Sequence, residues 1–167
     1  NRYFSFDIQG WHFIVLDSTH PHPKKRDFIA MLDDDQFEWL AHDLKETPVD
    51  TPICIASHIP ILNFSATFNE QVKSKAKFNI NANFWMHRDA ERIGSLFARH
   101  KNIILCLSGH VHVYDRIHAH GVHYITGGAV CGGWWSGRYL FFPPAYAIVD
   151  LFDDGTYSYN YKIYDRK

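Results

Sequence analysis

The sequence predicts an α/β fold: parallel βαβ units first, antiparallel strands after them. Between residues 11 and 108 the periodic segments run strand, helix, strand, helix, strand, the order that builds a parallel sheet with right-handed crossovers. The three strands are apolar runs, and each ends abruptly in a polar residue: Asp17, His58 and Ser108-Gly109-His110. Beyond His112 the chain changes to short strand patterns paired through tight-turn signals.

Each element has its own warrant. Residues 3–8 and 11–16 alternate around Gln9-Gly10, a hairpin signal. A polar, proline-containing loop follows from His20 to about Asp27. Asp33-Asp34-Asp35 then opens a helix, with Phe37, Leu40, Ala41 and Leu44 at i, i+3, i+4 and i+7 spacing. Early carboxylates suit the positive end of its dipole, and Pro48 closes it. Residues 53–57 form the next strand. The second helix is expected over about 88–100 and buries Ala90, Ile93, Leu96 and Phe97. Asp89 stands in its first turn and Arg99, His100 and Lys101 in its last, while Gly94 weakens it by about 1 kcal/mol relative to alanine. Residues 103–107 complete the second βαβ unit. Strands over 112–118 and 122–126 flank His120-Gly121, and a glycine-rich loop from Gly127 to Gly137 carries Trp134-Trp135. Strands 145–152 and 156–164 are joined by Asp153-Asp154-Gly155, and their alternation puts Tyr157, Tyr159 and Tyr161 on one face. Segment 62–87 fits neither period, and its length between a strand and its helix reads as a lid or binding loop.

The 167 residues make one domain or most of one, divided into a parallel part over about 1–112 and an antiparallel part over about 113–167. A formal net charge of −1 with no basic stripe argues against nucleic-acid binding. No apolar run approaches the ~20 residues that span a bilayer, so no membrane association is expected. Only 21% of residues are charged, which suggests that part of the surface is covered by another chain or segment. Cys54, Cys106 and Cys131 lie far apart, the first two inside apolar strands, and read as buried thiols.

In open α/β sheets ligands bind beyond the carboxyl ends of the strands. Here those ends bring Asp17, His58 and His110 together. His110 and His112 are two residues apart just after a glycine that lets the backbone turn, and two imidazoles so placed can reach one ion or two neighbouring ions. Neutral imidazole suits zinc, iron, manganese or nickel. The plainer alternative is a pair of loop histidines bonded to backbone. With His58 added, three histidines could also hold a single zinc and an activated water. Asp17 either ligates or orients an imidazole, or caps the turn after its strand. Trp134 and Trp135 either wall a substrate pocket or pack beneath their loop. His20, His22, His42, His87, His118, His120 and His123 read as ordinary loop, helix and hairpin residues.

Two of these stretches resemble motifs of the calcineurin-like metallophosphoesterases. Ala56-Ser57-His58-Ile59-Pro60 is similar to that family's fourth motif, and Ser108-Gly109-His110-Val111-His112 to its fifth, G-H-x-H. Residues 3–18 resemble the hairpin after the third motif, and Gly127-Gly128 falls where many members are glycine-rich. The resemblance implies the C-terminal half of a four-layer α/β sandwich with two divalent metal ions (manganese, iron or zinc). It places His58 and His110 on one metal and His112 on the other, with a phosphate ester as substrate. The family's first three motifs have no counterpart in residues 1–167, so the metal site is expected to be incomplete and the chain inactive alone. An absent N-terminal half or a second copy of the chain would then cover the exposed sheet. The reading from a different class is a non-catalytic interaction module, with its aromatic loop engaging a partner and any metal incidental.

Overall fold

The computed structural model describes residues 2–24, 27–64 and 85–164. These form ten strands and two helices: β1 Phe4–Ile8, β2 Trp11–Leu16, β3 Thr19–Pro21, β4 Phe28–Ala30, α1 Asp34–Glu46, β5 Ile53–Ser57, α2 Ala90–Phe97, β6 Ile103–Ser108, β7 Tyr114–Ala119, β8 Val122–Gly127, β9 Ala145–Leu151 and β10 Tyr157–Ile163. Most of the expected lid, residues 65–84, lies outside the described residues.

β1 to β8, without the short β3–β4 hairpin, make one six-stranded sheet in the order β1-β2-β5-β6-β8-β7. The β2-β5-β6 core is parallel, as the apolar runs predict. β8 is also parallel, beside β6, and β7 turns back antiparallel on the outer edge. The parallel sheet therefore extends past residue 112. The second strand of the β7–β8 hairpin carries the apolar residues Val122, Tyr124 and Ile125, and it takes the inner place. β7 alternates exposed and half-buried residues and takes the edge.

α1 and α2 cover one face of the sheet. Leu40, Leu44, Ile93, Leu96 and Phe97 meet Ile14, Ile53, Ile55, Ile103 and Cys106 there. The Asp33 side chain caps α1 by accepting from the Gln36 N–H. The β9–β10 hairpin covers the other face, its Val149, Leu151, Tyr157 and Tyr159 packing on Trp11, Cys54, Leu105 and Ile125. The Trp11 Nε1–H ties the two layers by donating to the Phe152 carbonyl at 2.9 Å. The hairpin does not reach β1. Phe4, Phe6 and Ile8 project from the same face as Trp11, because they pair with Val15, Phe13 and Trp11, and they stay 43–53% exposed. Cys54 and Cys106 are free and buried, and burial pushes the Cys54 thiol up to about 12. None of the described helices is long and apolar enough to cross a membrane.

Candidate metal centre

Parallel register sets the carboxyl ends of β2, β5 and β6 side by side: Leu16 pairs with Ser57, and Ala56 with Leu107. His58 follows β5 directly, and His110 and His112 follow β6. The two loops are joined by the Gly109 N–H, which donates to the His58 carbonyl at 3.0 Å.

The turn after β6 is made differently from the sequence expectation. Gly109 takes no positive φ; His110 (φ 65°) and His112 (φ 58°) do. A left-handed conformation costs an L-residue roughly 1–2 kcal/mol, and such strain persists where the surroundings hold it. From this turn His110 meets His58, whereas His112 meets the Gly132 carbonyl.

His58 Nε2 and His110 Nδ1 face each other at 3.3 Å, with the rings at 76°. Two nitrogens bound tetrahedrally to one zinc at ordinary bond lengths stand about 3.3–3.4 Å apart. The His58–His110 separation matches that spacing, and it equally suits an N–H···N hydrogen bond between the two rings. His112 is oriented separately. Its Nδ1 lies 2.7 Å from the Gly132 carbonyl, and a carbonyl only accepts, so Nδ1 carries the proton and in the neutral ring the lone pair is on Nε2. A backbone carbonyl that fixes the tautomer in this way is a usual partner of a metal-ligating imidazole. Among the described residues no three His, Cys, Asp or Glu side chains converge on one point. The single-zinc, three-histidine arrangement is therefore not assembled there.

The two tryptophans part company. Trp134 lies against His112 with ring centroids 4.6 Å apart, and Tyr139 stands edge-on to both. It forms an exposed aromatic wall beside the imidazole. Trp135 lines a separate cavity with Arg138 and Pro144. Asp17 sits at the end of β2, but its carboxylate is engaged locally. Oδ1 accepts from the Thr19 N–H at 3.0 Å and the Thr19 hydroxyl at 2.8 Å, and Oδ2 lies 3.4 Å from Arg2.

Sequence reasoning passed over His87. It is fully buried, with Nε2 3.2 Å from Ser57 Oγ and Nδ1 3.1 Å from Asp89 Oδ1. Its own N–H donates to the Pro60 carbonyl, and Asp89 Oδ2 accepts from the Leu32 N–H. The His87–Asp89 unit thus pins the end of β5, which carries His58, to the entry of α2 and to the segment after β4. The Ile59 N–H adds a bond to Ser18 Oγ at 3.1 Å. A histidine two residues before an aspartate at a helix start was the available signal, but Ser57 is thirty positions away and no local pattern pairs them.

Comparison with known proteins agrees with this architecture. No protein-family model matches the chain. A 3',5'-cyclic-nucleotide phosphodiesterase of Nostoc sp. is 25% identical over 167 residues, covering 95% of this chain and 54% of its own. The chain thus spans about half the length of the curated relative it matches. Among solved structures, a dimetal phosphatase from Danio rerio superposes with a TM-score of 0.52 at 15% identity, over 75% of this chain and 48% of that one. A purple acid phosphatase from yellow lupin (Lupinus luteus) seeds gives a TM-score of 0.51 at 17% identity, over 74% of this chain and 22% of that one. Over about three quarters of its length, the chain shares the fold of these two phosphatases.

Proposed function

We propose, from a fold held in common with the metallophosphoesterases, that this chain supplies the histidine half of a divalent-metal centre for phosphoester hydrolysis. His58 and His110 would hold one ion and His112 a neighbouring one, with the rest of the domain contributing the remaining ligands. The observation that carries this is the 3.3 Å approach of His58 Nε2 to His110 Nδ1 at adjacent parallel strand ends. Bound divalent ions would polarise the phosphoryl oxygens and offset the charge that builds on them.

The chain's own residues do the holding and aiming. His110 and His112 hold left-handed backbone directly after β6, and the Gly109 N–H ties that turn to the His58 carbonyl. The Gly132 carbonyl keeps the proton of His112 on Nδ1. The Trp134 face closes one side of the site and offers a flat apolar surface to whatever the phosphate carries. The cyclic-nucleotide substrate in the name of the Nostoc relative has such a planar ring, and we extend that substrate class to this protein. The exposed strip of Phe4, Phe6 and Ile8 is assigned to the part of the relative's length that this chain does not span. It continues the face that β9–β10 covers elsewhere, and a long apolar edge left open invites association.

Two measurements test this. Metal content by mass spectrometry on chelator-free protein should show bound divalent metal, reduced by at least about tenfold in His110→Ala. Hydrolysis of an aryl phosphate with manganese should appear when the upstream part of the domain is supplied and be absent without it. Metal that survives His110→Ala, or a completed domain that hydrolyses nothing, would favour the non-catalytic interaction module instead.

A further inference from the structure

The glycine-rich loop encloses a second cavity that the proposed centre does not use. Its volume is about 390 Å³, at the small end of the ~300–1,000 Å³ range of ligand pockets. The ring-bearing residues Trp135, Pro144 and Tyr164 line it together with Val130, Cys131 and Arg138, and of these Trp135 and Arg138 are exposed. No carboxylate is among these lining residues.

The cavity is preformed. The Gly133 N–H donates to the Gly137 carbonyl at 2.8 Å, and the Trp135 N–H to the Cys131 carbonyl at 2.7 Å. Tyr164 is tied to the loop through its hydroxyl, which donates to the Val130 carbonyl. A Cβ on Gly132 would collide with the Gly137 carbonyl and stand 2.8 Å from Pro144 Cγ, so the loop folds this tightly only with glycine there.

We infer that this cavity is a binding site for a small planar anion, a single ring bearing a carboxylate or a phosphate. The ring-bearing residues take the ring. The guanidinium fork of Arg138 matches either anion with paired N–H donors, and among the described residues no carboxylate lines the cavity to repel one. The site is separate from His58 and His110 but joined to His112. Cys131 lines the cavity, and the carbonyl of the next residue, Gly132, accepts the His112 Nδ1–H. A ligand seated against Cys131 therefore acts on the group that orients His112. This holds whether or not His112 binds a metal.

The test is calorimetric titration of the metal-free chain with benzoate and, separately, phenylphosphonate. The two arms distinguish carboxylate from phosphate chemistry. At least one should bind once per chain, weakened about tenfold or more by Arg138→Gln and by Trp135→Leu. His110→Ala should leave binding within about twofold, which separates this cavity from the strand-end histidines. The His112 ring resonances should shift on saturation. Binding that is indifferent to Arg138→Gln, binding that follows His110, or no binding of either probe up to about 10 mM would overturn the site. Arg138-dependent binding with unmoved His112 resonances would overturn the coupling.

Discussion

The two ends of the central sheet treat histidine in opposite ways. At the carboxyl ends of the parallel strands, His58 and His110 meet each other, His112 meets a backbone carbonyl, and aromatic rings stand beside His110 and His112. At the other end, His12 opens β2 between two carboxylates, with Nδ1 2.7 Å from Asp7 and Nε2 3.0 Å from Asp43. An imidazole with both nitrogens on carboxylates holds its protons and is committed to structure. One whose neighbours leave a lone pair outward is available to a cation. The chemistry is set by what surrounds the ring, which motif spacing alone does not specify.

The sharpest way to break this contrast is through His87, which has a carboxylate partner yet lies at the ligand end. We expect His87→Ala to cost about 3 kcal/mol, because it leaves Asp89 and Ser57 short of a partner and opens a cavity. Urea unfolding reads that cost. As a positioning residue for His58, His87 should also affect metal retention by roughly tenfold. His87→Asn, which keeps a donor near the Nδ1 position, should recover part of both. Stability lost with metal retention unchanged would make His87 a structural residue only.

That contrast was only half legible in the sequence. The strand ends were, since an apolar run closed by a histidine or aspartate marks both where a buried strand stops and which end it presents. The hairpin turns at Gln9-Gly10 and His120-Gly121 were legible for the same local reason, and both take left-handed backbone. β3 and β4, at three residues each, carry no period to read. The place of β8 against β6 depended on which strand of a hairpin could be buried on both sides, a tertiary competition. The left-handed strain fell on the histidines and not on Gly109, because the fold overrides the propensity of the residue at the turn. Asp43, thirty-one positions from His12, lies beyond any local pattern.

A smaller effect is expected at the opposite end, as a pH dependence. Burial pulls the His12 pKa down, but hydrogen bonds to Asp43 and Asp7 and their charges outweigh it and leave the value raised above 6.5. A histidine whose folded pKa is raised contributes stability that is fully present below 6.5 and is lost as the pH rises through the folded value. The amount is about 1 kcal/mol for a partly exposed ion pair. The urea midpoint should fall over that window in the unaltered chain, and Asp43→Asn should flatten the dependence. A midpoint that rises through the same window would contradict the assignment. Ser5, whose hydroxyl donates to Asp43 at 3.0 Å, belongs to the same clamp, so what loosens first is the hold of β1 on α1.

The smallest effect is expected at the carboxylate that ends β2. Asp17 ends β2 beside the strand that delivers His58, so its position alone suits a ligand. Its bonding does not. The Thr19 N–H and hydroxyl occupy Oδ1, Arg2 stands 3.4 Å from Oδ2, and Gln36 grips the backbone on both sides, accepting from the Asp17 N–H at 2.8 Å and donating to its carbonyl at 2.9 Å. The carboxylate closes the turn into β3 in the way short polar side chains do. Asp17→Asn keeps an oxygen for Thr19 and loses only the exposed pairing with Arg2. We therefore expect a cost of about 0.5 kcal/mol and a metal content equal to that of the unaltered chain. Metal lost with stability intact would instead place Asp17 in the centre. His58, His110 and His112 would then share their end of the sheet with a carboxylate after all, and the contrast with His12 would lie in the number of acidic partners and not in their absence.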